Sequence, residues 1–288
     1  MTIGTSVRTY ADGVWHEGDV PVMRAADHGA WLGSTVFDGA RFFEGVSPDL
    51  EAHCARVNRS AEALMLTPTV STADMVEIVR EGLASFSRES AVYIRPMYWG
   101  IDGDPTAIVP SNEATGFAVC LEEIGMAPPE MSARLTRTQF RRPVLEDAVV
   151  NAKAGCLYPN NARMLVEARR RGFDNALVAD AMGNVAETAT ANIFMVKDGE
   201  IFTPIPNGTF LAGITRARHM VNLAGEGTPV REAVLSFADF EDADEVFMSG
   251  NMSKVTPVTE FDATHYQVGP VTRRVREMYW DWALSEAD

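Results

Sequence analysis

A chain of 288 residues with 46% hydrophobic and 23% charged side chains has the composition of an ordinary folded protein, and its length suits two domains. Its 40 acidic against 25 basic residues leave a formal charge of −15, a field that repels phosphate backbones and anionic bilayers. Nucleic acid and membrane are therefore excluded as partners, and any anionic ligand needs a local site. Three cysteines without paired spacing, Cys54, Cys120 and Cys156, exclude a disulfide framework or zinc ribbon and point to a reducing, cytoplasmic setting.

The stretch Met1 to Arg8 lacks a basic region followed by an apolar one, so no export signal is expected. Tyr10-Ala11-Asp12-Gly13-Val14-Trp15 places an Asp-Gly turn between β-prone runs and predicts a hairpin. Val57, Ala61 and Leu64 predict a helix within Leu50 to Met65; Val76, Val79, Leu83 and Phe86 predict another from Thr72, capped by Ser71 or Thr72. Strands are expected over 91–99 and 116–121, with a loop from Gly100 to Asn112. Paired prolines at Pro128-Pro129 mark a linker, which divides the chain into an N-terminal α/β domain over 1–124, a linker over 125–131 and a larger domain over 132–288.

Beyond the linker a strand is expected near Leu135 to Phe140, and the Arg141-Arg142 pair after it reads as solvated surface. A helix from Asn161 to Arg171 ends at Gly172, a residue suited to a left-handed cap. Strands at 176–180 and 193–196 follow, with a second hairpin turn at Lys197-Asp198-Gly199-Glu200. Helices are predicted from about Gly213 and from about Pro270. The acidic run from Phe240 to Glu245 reads as a solvated turn. Strands and helices interleave in both parts, which makes the fold class α/β in the broad sense that includes α+β.

Glycine-rich nucleotide loops, zinc-binding pairs and nucleophile-elbow serines are absent from the sequence, and its five histidines have no ligand spacing. No metal is expected. Three segments remain. In Asn151-Ala152-Lys153-Ala154-Gly155 one lysine sits among small residues; it is either an ordinary surface lysine or one that bonds covalently to a carbonyl ligand. Glu187 lies in a small and apolar stretch and requires a partner, either a cationic ring nitrogen or a structural donor. Leu211-Ala212-Gly213-Ile214-Thr215 opens a helix whose N–H groups and hydroxyl suit a phosphate.

Taken in order, seven segments resemble the fold-type IV pyridoxal-phosphate enzymes, and within them the branched-chain amino acid aminotransferases. These are Val36 to Arg41, Arg56 to Ala61, Tyr93-Ile94-Arg95-Pro96, Lys153 to Tyr158, Glu187 to Phe194, Gly213 to Arg216, and Phe247 to Gly250 followed by Thr256-Pro257. The resemblance runs nearly end to end. It implies two mixed α/β domains, pyridoxal 5'-phosphate as cofactor and a homodimer or higher homo-oligomer. It further implies transamination between branched-chain L-amino acids and 2-oxoglutarate by a ping-pong cycle. A D-amino acid or (R)-amine transaminase of the same fold is the enzyme alternative, and a non-catalytic binding protein the remote one.

By the same resemblance, Lys153 holds the cofactor covalently and shuttles the proton at the substrate's Cα. Glu187 faces the pyridine nitrogen and Tyr158 the ring oxygen, while Leu211 packs on the ring. Arg56, Gly213, Ile214, Thr215, Gly250 and Asn251 surround the phosphate. Phe37, Gly39, Arg41, Tyr93, Arg95 and Met252 lie on the substrate side, and the Tyr-Ile-Arg-Pro run favours the L-branched-chain group. The chain departs from the pattern at two places. Leu32 replaces a tyrosine whose hydroxyl lies near the substrate carboxylate, and Asn251-Met252 replace a threonine and a small residue.

Overall fold

A computed structural model describes residues 6–285. Residues 1–5, most of the stretch read for an export signal, lie outside the described residues. The chain parts into two compact units: 6–126 together with Asn151–Leu157, and Ala127–Val150 together with Tyr158–Ser285.

The first unit is an antiparallel sheet with helices. Strands β1 (Val7–Ala11) and β2 (Val14–Glu17) form the expected Asp-Gly hairpin, with Asp12 and Gly13 both at positive φ. A short helix α1 (His28–Leu32) ends on left-handed Gly33 and leads into β3 (Thr35–Phe37) and β4 (Ala40–Phe42). Helix α2 (Leu50–Ala63) buries Leu50, Cys54, Val57 and Ala61. Helix α3 (Thr72–Leu83) starts at Ser71, whose side chain accepts from the Asp74 N–H, and stops short of Phe86. Long strands β5 (Val92–Gly100) and β6 (Thr115–Glu123) complete the sheet, in the order β2-β1-β6-β5-β3 with β4 also on β5.

The expected boundary over 125–131 contains the observed break after Met126. Residues 151–157, however, group with the first unit, whereas the 132–288 range placed them in the C-terminal part. Ala154 forms an antiparallel bridge with Val36, so this segment extends the first unit's sheet beyond β3 and is a correction to the division read from composition.

The second unit is built on β7 (Ala133–Arg141), β8 (Asn175–Ala179), β9 (Val185–Thr188), β10 (Asn192–Lys197), β11 (Glu200–Pro204), β12 (Arg231–Ala233), β13 (Glu245–Gly250), β14 (Lys254–Phe261) and β15 (Thr264–His265). Their order is β12-β11-β10-β13-β14-β7-β8-β9, with β15 on β14. Helices α4 (Tyr158–Arg170), α5 (Ile214–Gly225), α6 (Phe237–Glu241) and α7 (Pro270–Ser285) pack on it. On one face Phe194, Val196, Phe247 and Val255 meet Leu223 of α5 and Val275 and Met278 of α7; on the other, Ile193, Met195, Val246 and Met248 cluster with Phe240 of α6. Burial on both faces explains why β8, β10 and β13 are almost continuously apolar. Glu245 corrects the reading of the acidic run as a solvated turn. It is buried and accepts from the N–H groups of Val271 and Thr272, capping α7. Among the described residues no helix is long and apolar enough to cross a membrane.

Candidate active site

In the first unit the hub is Asp38, fully buried in the turn between β3 and β4. The Gly39 N–H and His53 Nδ1 each approach its Oδ1 at 2.7 Å. Arg56 donates Nε to Oδ2 at 2.6 Å and Nη2 to Oδ1 at 2.8 Å, a bidentate pairing that fixes the guanidinium plane. Burial alone would push the Asp38 carboxyl up, but the Arg56 charge and His53 outweigh it and hold the group well below the usual carboxylate range. Residues 53, 56 and 60 share one face of α2, and the Ser60 hydroxyl accepts from the Lys153 N–H at 3.1 Å. The Lys153 carbonyl in turn accepts from the Phe37 N–H at 3.1 Å. Both backbone groups of the lysine are thus pinned, and Nζ lies 4.9 Å from the centre of the Phe37 ring.

Asp38→Asn is expected to destabilise the protein by about 3–5 kcal/mol, since it leaves buried donors without their charge partner. Urea denaturation at pH 7 measures the deficit. A carboxyl depressed in the folded state contributes stability above its unfolded value of about 4 and loses it as the pH falls toward the folded one. The gap between wild type and variant should therefore narrow below about pH 4; a gap that widens on acidification contradicts the assignment.

Tyr93 and Arg95 lie two apart on β5, on one half-buried face. The Arg95 guanidinium sits 5.3 Å from the Tyr93 ring and pairs with Glu122 of β6. Gly39 meets the same tyrosine, since a Cβ there would stand 2.3 Å from its hydroxyl, so any larger residue would displace the Tyr93 ring. Arg41, opposite Tyr93 in register, is completely buried and donates to the Ile124 carbonyl and to Met126 Sδ. Burial lowers its guanidinium to about 10, still a cation at neutral pH. The first unit thus gathers Phe37, Gly39, Arg41, Arg56, Tyr93, Arg95 and Lys153.

In the second unit Glu187, on β9, is met by Arg142 Nε at 3.1 Å and by Asn192 Nδ2 at 3.3 Å. Arg141 is exposed, as the reading of the Arg141-Arg142 pair as solvated expected, but Arg142 overturns that reading. It is 8% exposed and also donates to Asn161 Oδ1 at 2.6 Å and to the carbonyls of Thr188 and Ala189 at 2.8 and 3.1 Å. The sequence signal for it was the lone carboxylate itself, which needs a cation.

Asn192 also donates Nδ2 to the Leu211 carbonyl at 3.2 Å, and a Cβ on Gly213 would fall 2.0 Å from its Oδ1. Asn192 therefore ties the carboxylate to the segment that opens α5. Gly213, the N-cap, offers no side chain to the first-turn N–H groups of Ile214 and Thr215. Ser249 lies opposite Asn192 in register and so faces the same side as the α5 N-terminus. Its Oγ and the Asn251 Nδ2 are shielded from solvent with no hydrogen-bond partner among the described residues. Buried donors of this kind beside a helix N-terminus suit an anion such as a phosphate. Gly250 and Asn251 belong to the same turn, with Met252 exposed beside them. Tyr158 opens α4, half in solvent.

Arg142 escaped the sequence reading as a site residue, and Asp38, Asn192 and Ser249 entered it only inside matched segments. Against known proteins, the chain matches the amino-transferase class IV family over residues 35–261. It is 30% identical over 286 residues to a branched-chain-amino-acid aminotransferase of Escherichia coli strain K12, covering 95% of this chain and 91% of that one. A crystal structure of an aminotransferase from Brucella abortus bound to the cofactor PLP is similar at 55% identity and a TM-score of 0.95, over 97% of this chain and 99% of that one. The branched-chain aminotransferase from Thermoproteus uzoniensis, solved with norvaline, is similar at 27% identity and a TM-score of 0.89, over 98% and 96% of the two chains.

Proposed function

The chain belongs to the class IV aminotransferases, and from that membership we propose that it moves the amino group between branched-chain L-amino acids and 2-oxoglutarate on pyridoxal 5'-phosphate. Asn192 carries this reading, because it joins the clamped carboxylate of Glu187 to the uncapped start of α5. A carboxylate and an anion cradle on one framework are what a cationic ring bearing a phosphate requires.

When bound, the ring takes up the electron pair left on the substrate's Cα. Lys153 would hold the cofactor covalently and, as an amine, move the proton at Cα. Glu187 would accept from the ring N–H with Arg142 behind it, Tyr158 would donate to the ring oxygen, and Leu211 would cover one face. The resemblance assigns the phosphate to Gly213, Ile214, Thr215, Gly250 and Asn251 of the second unit and, in the first, to Arg56, whose plane Asp38 sets. Tyr93 and Arg95 would read substrate carboxylates; Phe37, Gly39, Arg41 and Met252 would wall the side chain, Arg41 already being held by Ile124.

A homodimer belongs to the same proposal. It is supported by the resemblance and by exposed Trp31, Ile108 and Val109, apolar surface that a second copy would cover. The free thiols of Cys54, Cys120 and Cys156 support a cytoplasmic location. A donor screen with 2-oxoglutarate tests the function: L-leucine, L-isoleucine and L-valine should lead. Preference for D-amino acids or (R)-amines would replace the reading with the other transaminase branch.

Leu32, exposed at the end of α1, bears on the acceptor. A neutral hydroxyl hydrogen bond contributes about 0.5–1.5 kcal/mol, or roughly 2- to 13-fold. Leu32→Tyr is therefore expected to raise kcat/KM for 2-oxoglutarate several-fold and to leave that for leucine nearly unchanged. An unchanged 2-oxoglutarate value removes this position from dicarboxylate recognition.

A further inference from the structure

Lys254, the first residue of β14, has 1% of its surface exposed and a backbone φ of 61°. Both the left-handed backbone and the buried ammonium are unfavourable for a lysine, and a turn residue of another kind would avoid both. Its carbonyl faces His219 Nε2 of α5 at 3.2 Å. Its Nζ sits 5.4 Å from the Tyr279 ring of α7 and donates to Asn251 Oδ1 at 2.7 Å.

We propose that Lys254 is a positioning residue of the phosphate cradle, locking the Asn251 amide so that its Nδ2 donates to the phosphate of pyridoxal 5'-phosphate. The proposal rests on the cofactor site described under Proposed function. An ammonium donates and cannot accept, so the amide must turn its oxygen to Lys254 and its NH2 away from it. That NH2 is the buried donor left without a partner, as is the Ser249 hydroxyl two residues earlier. The lysine also places a positive charge directly behind the amide, which strengthens the amide's donation to an anion. In a chain of net charge −15, such a local charge offsets the repulsion a phosphate meets.

The test uses full-length protein stripped of cofactor and titrated, by quenching of tryptophan fluorescence, with pyridoxal 5'-phosphate and separately with pyridoxal, which lacks the phosphate. Loss of one charged hydrogen bond corresponds to roughly a tenfold or greater loss of affinity. Lys254→Met should weaken pyridoxal 5'-phosphate by about that factor and leave pyridoxal within roughly twofold. Asn251→Asp keeps the acceptor for Lys254 and replaces the outward donor with an acceptor oxygen, so it should show the same selective loss. Lys254→Met added to Asn251→Ala should cost little more than Asn251→Ala alone, because the lysine acts through the amide. Equal losses with both ligands, no loss with either, or additive losses would overturn the proposal while leaving the cradle standing. If Lys254→Met does not fold, Asn251→Asp decides alone, and retention of the wild-type preference overturns the relay. A wild-type protein with no preference for the phosphorylated ligand overturns the cradle and the relay together.

Discussion

Lys153→Ala is expected to lower the transamination rate by roughly 10²–10⁴ or more, the range for loss of a positioned proton-transfer group, while the protein keeps its fold. The two expectations separate because both backbone groups of the lysine are held. Its N–H donates to Ser60 and its carbonyl accepts from Phe37, and alanine preserves both. Among its side-chain contacts, the approach of Nζ to the Phe37 ring is worth about 0.5–1 kcal/mol at such a site. Thermal melting of the variant should accordingly shift by only a few degrees. Activity within about tenfold of wild type would remove Lys153 from the chemistry, and collapse of the melt would show that its role is structural.

Glu187→Gln is expected to slow the first half-reaction by about 10- to 150-fold, the kinetic equivalent of losing a charge-assisted hydrogen bond of about 1.5–3 kcal/mol. Arg142 makes the substitution informative. Its guanidinium is anchored independently by Asn161 and by the carbonyls of Thr188 and Ala189, so it stays in place when the carboxylate becomes an amide. Asn192 likewise keeps its bond to the Leu211 carbonyl. Cofactor affinity should therefore change much less than the rate, and single-turnover absorbance traces should place the loss in proton transfer at Cα. An unchanged single-turnover rate would remove Glu187 from the proton-transfer step.

Local chemistry made much of this molecule readable in advance. The Asp12-Gly13 hairpin, the Ser71 cap and the Gly172 stop each follow from one or two residues acting on their neighbours, and each stands where those residues require it. Lys153, Glu187 and the Gly213 helix start were legible for a similar reason, as residue types out of keeping with the bland surroundings of their segments. Long-range pairing hid the rest. Nothing within residues 151–157 announces that Ala154 will bridge to Val36. An arginine beside a second arginine reads as solvated until partners from 19 to 47 residues away enclose it. Glu245 looked like one acid among several because the helix end that it caps begins about 25 residues later.

The return of residues 151–157 to the first unit has a consequence for the order in which the polypeptide matures. When synthesis passes Met126, β3 has β5 on one side and nothing yet on the other, an open edge that invites pairing with another nascent chain. At about 5–20 residues per second, roughly 2–6 s elapse before the strand-capping segment has been made. The same stretch carries Lys153, the lysine proposed to hold the cofactor, so the first unit cannot protect its edge without also installing that amine. A gene divided after codon 126 would yield an N-terminal product with neither.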